Sequence, residues 1–219
     1  MKYSIIALLF SSAEAINIRT HGAPAEPEVN TCVNVRKDSA IEEPCETAGN
    51  SAWVPDVPLL SPEEMGFEEG WNGRYYWMSK AATEDGYNTA GLKPSADVVA
   101  QEINFANSQF NAIAEGFPSD HFQAEWSGML KIEEGGLFTF QTGSDDGSRL
   151  WINNVMVVDN WGRHGTKYVE GTAKLTKGYH EIKVHMFEDG GGATAYANWH
   201  GEGTKKFTPI HVYHAALTE

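Results

Sequence analysis

From Gly70 onward the chain is written in short runs whose apolar and polar positions alternate, the period of strands buried on one side. Phe122, Ala124 and Trp126 share one side of such a run, with Gln123 and Glu125 on the other. Phe138 and Phe140 lie opposite Leu137 and Thr139; Ile182, Val184 and Met186 lie opposite Glu181, Lys183 and His185. Gly135-Gly136, Asn153-Asn154 and Lys177-Gly178 fall between runs, where tight hairpin turns need residues that accept positive φ. Ser95 to Gln101, opened by Pro94, is the helix that the pattern predicts, and it is too short to organise a fold. Repeated strands without βαβ alternation predict an all-β antiparallel sandwich or barrel. Its buried set is expected to include Phe122, Trp126, Phe138, Phe140, Ile182 and Val184.

Residues 16–67 read differently. Pro24, Pro27, Pro44, Pro55, Pro58 and Pro62 interrupt an acidic stretch with few periodic runs, which predicts an extended, partly ordered leader. Trp53, Val54, Val57, Leu59 and Leu60 could dock it on the body. Ahead of it, Lys2, the apolar stretch Ile5 to Phe10 and the small residues Ala13 and Ala15 have the three parts of a secretory signal peptide, residues 1–15. The apolar run is far shorter than the ~20 residues a membrane-spanning helix needs, so no membrane insertion is expected. In a secreted chain Cys32 and Cys45 are expected to form a disulfide. The domain itself is placed at 68–215, followed by a short tail, 216–219.

Charge narrows the partners. With 16 basic and 30 acidic residues the net charge is −14, which repels phosphate backbones and anionic lipid heads. Nucleic acid is therefore not expected as a partner, whereas cations and neutral ligands such as sugars are compatible.

The order of motifs along the body resembles the protective-antigen (PA-14) domain family. Gly70-Trp71-Asn72-Gly73-Arg74-Tyr75-Tyr76 is similar to that family's opening strand. Phe122 to Gly128 and then Gly136 to Phe140 follow, and after them Gly143-Ser144-Asp145-Asp146-Gly147-Ser148-Arg149-Leu150-Trp151-Ile152. Val157 to Trp161, Leu175 to Ile182 and Phe187-Glu188 leading to Trp199 complete the succession. The resemblance implies a β-sandwich that binds carbohydrate, in some branches through calcium held by an adjacent Asp pair and a late loop. On this chain the pair is Asp145-Asp146, and the late loop is Glu188-Asp189-Gly190-Gly191-Gly192. Calcium is thus expected on Asp145, Asp146 and Asp189, although the adhesin branch places an asparagine near Glu188 or Asp189. Gly190 and Gly191 would let the backbone approach a ligand. The same aspartates also have a plainer reading, in which they shape a turn by accepting backbone amides; both readings stand at this point.

Among the aromatics, Trp151, Trp161, Tyr168, Tyr196 and Trp199 include candidates for stacking on a sugar ring. Trp126 and Trp199 sit in strand patterns and read as core, while Trp161, between Asn160 and Gly162, is expected to be exposed. There is no Gly-x-Ser-x-Gly, His-Glu-x-x-His or phosphate-binding glycine loop, and no catalytic residue is assigned. The expected function is a secreted, non-enzymatic module that binds a glycan or glycoprotein in adhesion or cell-surface and matrix recognition. The competing expectation is a structural subunit of an extracellular filament, matrix or cell coat that assembles with copies of itself.

Overall fold

The computed structural model describes residues 32–34 (backbone only), 59–78, 89–106 and 109–215. The expected signal peptide, most of the leader, Cys45, the side chain of Cys32 and the tail lie outside the described residues. No described helix is long and apolar enough to cross a membrane.

The fold is an all-β antiparallel sandwich. In one sheet β7 (Gly136–Asp145) pairs with β10 (Lys167–Leu175) on one side and with β12 (Thr194–Gly201) on the other. β1 (Cys32–Asn34) extends it beside β10; β13 (Thr208–Pro209) and β5 (Asn104–Phe105) both pair with β12. In the second sheet β6 (Phe122–Ile132) and β11 (Gly178–Glu188) run side by side for eleven residues, from Gly178 opposite Ile132 to Glu188 opposite Phe122. β8 (Ser148–Ile152) continues from β11 to β9 (Val155–Asn160). On its other edge β6 is shared: β3 (Trp71–Trp77) pairs with its first half and carries β4 (Ala96–Ala100), while β14 (Tyr213–Ala215) meets Met129 and carries β2 (Phe67–Glu69).

Alternation accounts for the core. Phe122, Ala124, Trp126, Phe140, Ile182, Val184 and Met186 are all buried, with Leu150, Ile152 and Val158 beside them. Each large apolar side chain taken out of water contributes about 1.5–3 kcal/mol. Buried tips find partners: Trp126 Nε1 donates to Tyr75 Oη at 2.9 Å, and Trp71 Nε1 donates to the Ile210 carbonyl at 3.2 Å. The β8–β9 hairpin turns on Asn153 and Asn154, both at positive φ (48° and 65°), as a tight hairpin requires. β9 and β10 come into close contact at Gly171, where a Cβ would fall inside the contact shell of the Val157 carbonyl oxygen.

Two expectations are corrected. Ser95 to Gln101 forms no helix: Ala96 to Ala100 is β4, because β-branched Val98 and Val99 pair with Gly73 and Asn72 along the β3 edge. Phe138 is half-buried rather than enclosed, because it lies towards the β7 end where Trp199 covers it in a stacked contact, centroids 5.3 Å apart.

Candidate functional site

β7 and β11 belong to different sheets, yet their ends converge on one rim of the sandwich. Asp145 closes β7, Asp146 and Gly147 turn the chain into β8, and Glu188 closes β11. One carboxylate oxygen from each of Asp145, Asp146 and Glu188 lies within 4.8 Å of the other two. The peptide joining the two aspartates is cis.

Beneath this rim the core turns from apolar to polar. Inward positions on β7 change from Phe140 to Thr142 and Ser144, both buried. Ser144 Oγ donates to Ser148 Oγ at 2.7 Å, and Ser148 Oγ donates to Thr142 Oγ1 at 2.9 Å. Asn160 Nδ2 donates to Ser144 Oγ at 3.2 Å and to the Lys167 carbonyl at 2.9 Å. This network fixes the strand ends that carry the carboxylates, although Asn160 Oδ1 is buried without a hydrogen-bond partner among the described residues.

Asp146 ties two loops to the rim. Its Oδ1 accepts the His164 amide at 2.9 Å and its Oδ2 accepts the Asp189 amide at 3.0 Å. Each oxygen keeps a further lone pair for another partner. Glu188 is different: it is fully buried, and neither of its oxygens has a hydrogen-bond partner among the described residues. Burial first, and then the charges of Asp146, Asp145 and Asp120, push its carboxyl up to about 8, with the nearby Gly190 amide acting the other way. Asp145 is also held above the usual carboxylate range, by burial and then by Asp146, with His164 and the Thr166 amide acting the other way.

Three converging carboxylates, one of them fully buried and without a hydrogen-bond partner among the described residues, concentrate negative charge at the rim, which is costly unless a proton or a cation arrives. The donor set is all hard oxygen, the chemistry that suits calcium rather than zinc or copper.

A family model described as the PA14 domain matches residues 83–212, more than half of the chain. The chain belongs to the PA14 domain family. Anti-sigma-I factor RsgI3 of Acetivibrio thermocellus is 32% identical over 88 residues, 39% of this chain; the chain spans 14% of that protein's length. The PA14 domain of the antifreeze protein MpAFP shares the fold with a TM-score of 0.56 at 16% identity, over 67% of this chain and 92% of that one. A PA14 sugar-binding domain from an RTX adhesin does so with a TM-score of 0.55 at 18% identity, over 67% and 98%.

Within this PA14 domain the residues named from sequence separate. Asp145 and Asp146 come together; Asp189 does not join them. Its Oδ2 lies 3.0 Å from Arg163 Nη2 and its Oδ1 3.4 Å from His121 Nδ1, so only its amide faces the cluster. Glu188 takes the third place because it continues the inward set Ile182, Val184 and Met186, and one residue further the strand presents its opposite face. Extending that alternation by one step was the signal that would have found it.

Gly190 and Gly191 do lie beside the PA14 cluster. The Gly191 amide donates to Asp120 Oδ1 at 3.0 Å, its φ is 111°, and the space where a Cβ would stand is open. Trp161 is a correction. It is half-buried, packed on Phe187 with centroids 4.6 Å apart and on His185 at 5.4 Å, and the Arg149 guanidinium lies 4.6 Å from its ring centroid. Those contacts hold the ring against β8 and β11 rather than leaving it free in a loop.

Proposed function

We propose that this PA14 domain is a secreted, non-catalytic carbohydrate-binding module of the adhesion or surface-recognition kind, with calcium held by Asp145, Asp146 and Glu188. The observation that carries the metal reading is Glu188: a fully buried carboxylate with no hydrogen-bond partner among the described residues, facing two more carboxylates. A calcium ion takes six to eight oxygens, so three side chains would leave positions for sugar hydroxyls. Asp146, braced by the amides of His164 and Asp189, would hold the loops of 161–166 and 189–193 around the ligand. The fold shared with a sugar-binding domain of an RTX adhesin supports the carbohydrate part. The apolar run and small residues of 1–15 support secretion.

The carboxylates do not suit glycosidase chemistry. A glycosidase needs two carboxyl groups on either side of an accessible bond. Glu188 has no exposed surface from which to hand over a proton.

Calorimetry with calcium on the wild type and on Asp146→Asn tests the reading. The wild type should show binding heat and a rise in melting temperature, since an ion that binds only the folded state stabilises it by mass action. The variant should lose both while staying folded. Asn has one acceptor oxygen for the two loop amides that Asp146 holds, so Glu188→Gln, which breaks no hydrogen bond among the described residues, should show the same loss. A wild type with neither heat nor shift would leave only the turn-shaping role of the aspartates.

A further inference from the structure

The outer face of the β7 sheet carries an aromatic pair next to the carboxylate cluster. Tyr168 on β10 and Tyr196 on β12 stand on either side of Gly143 on β7, in register. Gly143 has no side chain, and a Cβ there would collide with the Tyr168 ring, which lies down across the strand. The two rings stack with centroids 5.8 Å apart and planes at 23°. Tyr168 is 51% exposed, the largest fraction among the exposed large apolar side chains of the described residues.

Polar rows flank the pair. Two residues along β7 is Asp145 of the cluster, opposite Thr194, whose Oγ1 shares a hydrogen bond with Thr166 Oγ1 at 3.0 Å. On the other side Gln141 Nε2 donates to Glu170 Oε1 at 3.1 Å, with Asn198 in register. Two residues of strand span about 7 Å, so the pair lies one step from the cluster along the sheet.

We infer that Tyr168 and Tyr196 form a second saccharide subsite, so that the ligand is a neutral oligosaccharide with one ring at the carboxylate cluster and the next over the tyrosines. The inference rests on the carbohydrate reading above and deepens it. The exposed ring offers a flat apolar face to the C–H face of a sugar. The hydroxyl and amide rows on both sides supply donors and acceptors for the hydroxyls around it. The ligand is neutral because Asp145 and Glu170 flank the pair and would repel a uronate or sulfated sugar. A protein partner suits the face less well, because the next exposed apolar side chain on β7 is Leu137, three outward positions away.

The test is calorimetric titration, in calcium, of the wild type, Tyr168→Ala, Tyr196→Ala and Tyr168→Phe. The probes are a mono-, di- and tetrasaccharide of each of glucose, galactose and mannose. Tyr168 is exposed, so its variants should melt as the wild type does, and Tyr196→Ala, at a half-buried position, is read only where it stays folded. The wild type should bind the longer forms of its preferred sugar about ten-fold more tightly than the monosaccharide, a typical gain from one stacked aromatic contact. Both Ala variants should lose that length preference while monosaccharide and calcium affinities stay unchanged, and Tyr168→Phe should keep it. Oligosaccharide affinity that is unchanged in the Ala variants overturns the subsite and leaves the carbohydrate reading standing. A wild type that binds none of the probes overturns both. If Tyr168→Ala instead abolishes self-association seen by sedimentation, with saccharide affinity unchanged, the face is a protein contact and the subsite falls.

Discussion

Glu188 lies fully buried beside Asp146, which accepts two backbone amides, while neither Glu188 oxygen has a hydrogen-bond partner among the described residues. The pair shows the two ways a carboxylate can sit at this rim. Asp146 organises the loops, and Glu188 supplies charge that the protein alone does not balance. Replacing Glu188 by Gln keeps the shape and removes that charge. Without calcium the variant should melt higher than the wild type above pH 8, because a buried charge repelled by its neighbours is gone. In calcium the order should narrow or reverse, since the wild type gains an ion that the variant binds about ten-fold more weakly or worse. Melting curves with and without calcium give both readings; a variant that keeps the wild-type calcium shift would remove Glu188 from the ligand set.

The pH dependence of the metal-free protein follows from the same group. An unfolded glutamate titrates near ~4.3, and Glu188 in the fold is pushed up to about 8. Between those values the native state holds a proton that the unfolded state has lost, so stability is full below about pH 4.3 and falls as pH rises through 8. Asp145, held above its ordinary range, adds a contribution of the same sign. Other carboxylates titrate at the acid end, so the difference between wild type and Glu188→Gln isolates this one. Calcium requires the ionised form, so its affinity should climb with pH towards 8, and uptake at pH 6.5 should release about one proton. Titration in two buffers of different ionisation enthalpy measures that proton, and a pH-independent affinity with no release would contradict the assignment.

The fold makes a separate demand where the sheets touch. Gly171→Ala puts a methyl against the backbone carbonyl of Val157, which cannot rotate away, whereas Gly136→Ala meets open space. Urea unfolding should show the first losing ~2 kcal/mol or more and the second close to neutral. Phe140→Ala, which empties a fully buried site, should cost ~3–5 kcal/mol. Equal behaviour of the two glycine variants would mean that the sheets do not close on Gly171.

Much of this was legible in the chain because β-structure writes its faces locally. The alternation through Phe122–Trp126 and Ile182–Met186 gave the inward sets, and the Asn153-Asn154 turn was readable from its residue types. Relationships between sheets were not. Glu188 reads locally as the first residue of a glycine loop, and its partners are some 40 residues away on another strand. Trp161 looked like a loop aromatic because nothing in its neighbourhood announces Phe187 and Arg149. Ser95 to Gln101 reads as a helix for a related reason: a five-residue strand takes its state from the edge it pairs with, and its β3 partners lie more than 20 residues upstream.

Binding of the purified chain to a printed glycan array, with calcium and again with a chelator, goes most directly to the central reading. A defined group of neutral glycans should bind in calcium and be lost on chelation, and Asp146→Asn should lose the same group in calcium. An array on which no glycan binds in either condition, or on which binding persists unchanged in the chelator, would contradict a calcium-dependent carbohydrate-binding site at Asp145, Asp146 and Glu188.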